Sequence, residues 1–219
     1  MATHFHNHFR AMTVRFTTIF ICSLFVFFGI LNIRFIAASV RYWLAPGTII
    51  SSDSLSQAKA FPLAQDVFTR PLPSNARLVI DSLGVNAPIV FDVPPDNDII
   101  YKNLERGVVH YSNSVKPGQP GAAVVLGHSS AYPWYKGKYG SVFALISKLK
   151  PGDKFYVQYE DGRLFVYSVR QSIIFNPFKP DGRLSQLETT DRSSIVLVSC
   201  YPVGTNYLRI AVQADVVES

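Results

Sequence analysis

Ile195-Val196-Leu197-Val198-Ser199-Cys200-Tyr201-Pro202-Val203-Gly204-Thr205-Asn206-Tyr207-Leu208-Arg209-Ile210-Ala211-Val212 reads as two strands joined by a turn. The first half is a short, β-branched apolar run. Pro202 and Gly204 punctuate it, and the apolar pattern resumes at Tyr207. Cys200 falls at the end of the first strand and Arg209 inside the second. Strand alternation puts Arg209 on the face opposite Leu208 and Ile210. A strand end is a rigid place to expose a reactive group.

Working outward, more strands follow. Arg77–Ile80 and Val85–Phe91 flank a Ser82-Leu83-Gly84 turn. Lys154–Tyr159 and Arg163–Arg170 flank Glu160-Asp161-Gly162, a hairpin signal. Ala122–Leu126 is a further apolar run, ending at Gly127. Tyr207–Val217 completes the set. Asp98 is placed to cap a short helix through Leu104, and Phe143–Leu149 reads as a helix turn. Seven or eight short strands predict a mostly β fold, a barrel or a sandwich.

The N-terminal part differs in kind. Phe16–Ile33 carries no charge and is rich in Phe, Ile, Leu and Val. At about 1.5 Å per residue such a run approaches the thickness of a bilayer core, so the reading is one N-terminal transmembrane helix. Ala37-Ala38-Ser39 leaves a cleaved signal as the other option. Arg10 and Arg15 precede the run and Arg34 and Arg41 follow it, so charge gives no orientation. The expected organisation is a tail over 1–15, an anchor over 16–44, a Pro- and Ser-rich stalk over 45–75 with a short helix near Leu55–Phe61, and a folded domain over 76–219. His4, His6 and His8 are assigned to a disordered tail and not to a metal site.

Of 219 residues, 21 are basic and 15 acidic, a formal charge of +6. Four of the arginines sit in residues 1–44, where there is no acid. The other seventeen basic residues face fifteen acidic ones, a balance of +2. That is no case for nucleic-acid binding. With hydrophobic residues at 48% the chain is also too apolar for a disordered one. The acids Glu160, Asp161, Asp181, Glu188 and Asp191 lack the regular spacing of a calcium loop, and no metal or cofactor is expected.

There are two cysteines, Cys22 in the apolar run and Cys200 in the domain, so Cys200 has no disulfide partner there. A nucleophilic thiol needs a base or a cation nearby, because only about 3% of an ordinary Cys is thiolate at pH 7. The domain offers His128, just past an apolar strand, and His110, at a less clear strand end. Ser129 and Ser130 beside His128 do not make a serine triad, which is a matter of geometry and not of adjacency.

Taken in order, these elements resemble the sortases, a family of membrane-anchored cysteine transpeptidases, over Arg77 to Val217. Arg77-Leu78-Val79-Ile80-Asp81-Ser82-Leu83-Gly84-Val85 is similar to the opening hairpin of that barrel. Val125-Leu126-Gly127-His128 is similar to its histidine strand. Val196-Leu197-Val198-Ser199-Cys200 is similar to its Leu-x-Thr-Cys element, with Ser199 in place of Thr. Arg209 stands nine residues after the Cys, a spacing familiar from several sortase classes.

The resemblance implies a closed eight-stranded β-barrel with Cys200 as nucleophile, His128 as general acid and base, and Arg209 stabilising the substrate carbonyl or oxyanion. His110 and Ser199 are expected to contact substrate. It further implies cleavage of a Leu-Pro-x-Thr-Gly-like sorting signal through a thioacyl-enzyme. The acceptor amine would come from a cell-wall precursor or a pilin-like protein. The barrel would be extracellular, with membrane lipid around a single anchor. The chain ends soon after the last strand, which argues against a second anchor. No lid is legible in 45–75, which predicts an open site, and the Ser129–Ser141 loop matches no class pattern. Two rivals stay open: a peptidoglycan cross-linking cysteine transpeptidase, marked by Ser-x-Gly-Cys-x-Arg, and a non-enzymatic membrane-tethered binding barrel.

Overall fold

The structure is a computed structural model describing residues 2–31, 33–44, 71–131, 135, 137–179, 182–187 and 191–217. It divides into two units, Met1–Ala37 and Ala38–Ser219. The short helix expected near Leu55–Phe61, most of the stalk, and Trp134 lie outside the described residues.

Helix α1 runs Ala2–Leu31 and α2 runs Ile33–Leu44. The histidine tail is therefore helical and not irregular as expected. Once the apolar run is helical, each residue added to its end gains one hydrogen bond. The single transmembrane helix expected over 16–44 is not found. Among the described residues no helix is long and apolar enough to cross a membrane.

Eight strands form the second unit: β1 Ala76–Ile80, β2 Val85–Val93, β3 Val108–Tyr111, β4 Gly121–Leu126, β5 Lys154–Tyr159, β6 Leu164–Phe175, β7 Ser193–Tyr201 and β8 Leu208–Val216. They close into a barrel in the order β1-β2-β3-β4-β7-β8-β6-β5, sealed by the antiparallel β1–β5 pairing. The β2–β3 and β4–β7 pairings are parallel. Alternation fills the lumen: Leu78, Ile80, Ala123, Val125, Phe155, Val157, Ile195, Leu197, Ile210 and Val212 all point inward.

The other face is covered in two places. The helix α3, Asn97–Leu104, helps bury Val93, Leu104 and Val109. The β6–β7 connection, with a 3₁₀ turn at Arg183–Leu187, lays Leu187 on Phe175, Val196 and Ala211. Asp96, and not Asp98, caps α3: its Oδ1 accepts from Ile99 N–H at 3.0 Å. Phe143–Leu149 holds a 3₁₀ turn over Ile146–Lys148. Inside the barrel, Tyr159 donates to the Pro117 carbonyl at 2.7 Å and Tyr167 accepts from Gly118 N–H at 2.8 Å. These bonds fasten the β3–β4 connection. Burial pushes the Tyr167 phenol up to about 12.

Candidate active site

The apolar strand β7 fixes Cys200 by parity. Ile195 and Leu197 face the lumen, while Val196 and Val198 belong to the outer cluster. Cys200 follows the outer set and is half-buried at the strand end. The antiparallel β7–β8 register places Arg209 directly opposite Cys200. In such a pair the Cα atoms are about 4.5–5.5 Å apart. Arg209 shares its parity with Ala211, also of the outer cluster.

His128 arrives from the other side of β7. The parallel β4–β7 ladder pairs Leu126 with Val198. The alignment continues past the strand: Gly127 N–H donates to the Val198 carbonyl at 3.1 Å, and Ser199 Oγ donates to the Gly127 carbonyl at 2.7 Å. His128 is the next residue, two past the end of β4 and at the same end of the β4–β7 pair as Cys200. Its parity matches Ala122 and Val124 of the outer cluster. Phe175, paired with Arg209 across β6–β8, extends the row. Phe175, Arg209 and Cys200 thus lie side by side on three neighbouring strands, on the outside of the barrel and not in its lumen, and His128 follows just past the end of the next strand, β4.

Local chemistry explains the placement. A Cβ on Gly127 would come within 2.4 Å of the Phe143 ring, which is itself buried, so only glycine lets the chain turn there. Phe143 N–H in turn donates to the His128 carbonyl at 2.8 Å. Ser199 is buried and faces the lumen, so it ties β7 to the end of β4 and does not face the row.

His128 is half-buried between two rings. Tyr101 of α3 stacks on it with centroids 6.0 Å apart at 27°, and Tyr135 meets it edge-on at 5.4 Å and 77°. Burial holds its pKa below the ordinary imidazole value of about 6.5. The resting pair is therefore biased toward neutral imidazole. Arg209 commits Nη1 to the carbonyls of Asn206 at 2.9 Å and Leu208 at 3.0 Å. That fixes the guanidinium on the β7–β8 turn, while Nε and Nη2 remain as donors to a ligand.

His110 is not brought to this row. It is fully buried on β3 and pairs with Val125, three residues from His128 along the ladder, about 10 Å. Asp92 N–H donates to its Nδ1 at 3.2 Å, and its Nε2 donates to the Val115 carbonyl at 2.9 Å. Burial depresses its pKa, outweighing the Val115 bond and the Asp92 carboxylate. Both nitrogens are engaged, so His110 reads as a satisfied core histidine. Tyr101, Tyr135 and Phe175 were not legible as site residues. Tyr101 precedes His128 by 27 residues, Tyr135 follows it by seven in a loop that matches no pattern, and no motif marks either.

A family model described as the sortase domain matches residues 78–217. Sortase C-1 from Actinomyces oris is 24% identical, with a TM-score of 0.53 over 73% of this chain and 86% of that one. Sortase C from Clostridium perfringens, described with the C-terminal cell wall sorting motif, is 25% identical, with a TM-score of 0.51 over 65% and 70%. A lid mutant of sortase A from Corynebacterium diphtheriae is 19% identical, with a TM-score of 0.54 over 86% and 94%. No curated protein matches the chain by sequence.

Proposed function

The chain belongs to the sortase family of cysteine transpeptidases, and from that premise we propose that it cleaves a Leu-Pro-x-Thr-Gly-like sorting signal at Cys200 and passes the acyl group to an amine. The observation that supports this is the β7–β8 register, which sets Arg209 opposite Cys200, with His128 two residues past the end of the neighbouring β4.

The steps follow from the groups. The Cys200 thiol gives its proton to neutral His128 as Sγ attacks the scissile carbonyl. The developing oxyanion takes hydrogen bonds from Arg209. The C–N bond breaks, and the His128 imidazolium delivers its proton to the departing amine. A thioester remains. An incoming amine attacks it, a new amide forms, the thiolate leaves, and His128 takes the surplus proton. The donor is a protein bearing a sorting signal, as the C. perfringens relative's description suggests. The acceptor is an amine of a cell-wall precursor or a pilin-like protein.

We assign the site to the outer surface of the cell, with residues 16–44 as a single anchor in membrane lipid. Support comes from α1, where Leu24, Phe25, Val26, Phe27 and Phe28 are all exposed. Five consecutive apolar positions cover every side of a helix, a pattern suited to lipid and not to one protein core. The test is mass spectrometry of the full chain after incubation with a library of sorting-signal peptides. An acyl adduct on Cys200, lost in Cys200→Ala and released by an added amine, is expected. Full reactivity in Cys200→Ala would refute the assignment.

A further inference from the structure

The imidazole of His128 is held by residues that no strand supplies. Tyr101 lies on α3, and its ring covers one face of the imidazole at 6.0 Å. Tyr135, from the loop after β4, contacts the imidazole edge-on at 5.4 Å. The two are linked, because the Tyr135 hydroxyl donates to the Leu104 carbonyl at 3.0 Å. Leu104 closes α3, where carbonyls lack a partner within the helix. Loop and helix are thus one unit around the ring.

Tyr101 is also 57% exposed, and no core cluster contains it. A large aromatic left that open contributes little to the barrel's stability. Its defined contact is the imidazole. Burial is what lowers the His128 pKa, and no charged group contributes to the shift. The groups seen against the ring are Tyr101 from α3 and Tyr135 from the loop.

We propose that Tyr101 and Tyr135 form an aromatic clamp, a pair of positioning residues that hold His128 in register with Cys200. The clamp acts through the imidazole and does not touch the reacting carbonyl. It restricts ring rotation, so the nitrogen facing Cys200 stays aligned while the proton moves from sulfur to the amine. It also keeps water off one face of the ring. The catalytic role of His128 rests on the reading above; the clamp itself does not.

The experiment uses the full chain with Tyr101→Ala and Tyr101→Phe. His128 is titrated by NMR through its imidazole C–H signals, assigned with His128→Gln. Acylation of Cys200 by one cleavable peptide is followed in parallel. In Tyr101→Ala the His128 titration should move up toward the ordinary value, and kcat should fall about 2- to 10-fold with KM nearly unchanged. Tyr101→Phe retains the ring and should restore both. Tyr135→Phe loses only the tie to Leu104, so it should lower kcat by less than Tyr101→Ala does. An unmoved His128 titration in Tyr101→Ala overturns the clamp. A moved titration in a chain whose wild type forms no acyl-enzyme upholds the clamp and overturns the transpeptidase reading.

Discussion

Ser199→Ala tests how the site is held together. Ser199 Oγ is buried and donates to the Gly127 carbonyl at 2.7 Å. Alanine removes the donor and leaves a buried carbonyl short of a partner, at a cost of about 1–3 kcal/mol. For a domain of this size each kcal/mol moves Tm by about 2–4 °C, so the expected fall is about 2–12 °C. The effect on rate is smaller than for a deleted catalytic group. Two other ties to the same turn survive, Gly127 N–H to Val198 and Phe143 N–H to His128. A misplacement of about 1 Å costs as much as 10²-fold, so with those ties intact the loss of acylation should be nearer 10-fold. Ser199→Thr keeps the hydroxyl and suits a strand, but crowds a methyl into a packed site at about 1–3 kcal/mol. The two variants therefore separate: alanine loses rate and Tm, whereas threonine loses at most Tm. Thermal melts by circular dichroism and single-turnover acylation measure both. A Ser199→Ala protein with wild-type Tm and rate refutes the reasoning, as does a Thr variant that acylates no better than the Ala variant.

Further outcomes are expected elsewhere. Gly127→Ala forces a Cβ against the Phe143 ring; denaturant melts should show a loss of about 1–3 kcal/mol and acylation should fall by more than in Ser199→Ala. Arg209→Lys should lose most of what Arg209→Ala loses, about 10²–10³ in kcat, because a lysine ammonium cannot reproduce a planar donor set; near-normal acylation by Lys would show that charge alone suffices. His128→Ala should abolish acylation, whereas His110→Ala should lower Tm and leave kcat largely intact; the reverse ranking in peptide cleavage would exchange their roles. His110 is kept from protonating by burial. Its folded pKa thus lies below the unfolded value of about 6.5, so the unfolded chain gains the proton first. The stability it confers is full above about pH 6.5 and is lost as pH falls toward the folded pKa. Urea melts at pH 7.5 and 5 should show a steeper loss in wild type than in His110→Gln, and equal slopes would refute the assignment.

What the sequence alone determined is local. Alternation marks β5 and β8 because each has one face in the lumen, and a period of two is visible without knowing its partner, whereas β1 and β7 are marked by continuous apolar runs between turn signals. The Gly84 and Gly162 turns were legible because both glycines adopt a positive φ that other residues avoid. Cys200, His128 and Arg209 were legible as strand-end or strand residues and through their family pattern. The second half of β6 was not, because the register shifts between Val169 and Gln171, breaking the period just where the strand continues.

The tertiary structure decided what those residues do together. Cys200 and His128 come to the same end of neighbouring strands only because β4 and β7 run parallel, and nothing in either segment encodes that partner. His110 and His128 both follow apolar residues. Only the barrel's closure puts one inside, where burial enforces a bonded neutral ring, and the other half-exposed between Tyr101 and Tyr135. Ser199, read as a substrate contact, became a tie between strands for the same reason. Side-chain parity is local, but which face is the lumen depends on how the sheet closes.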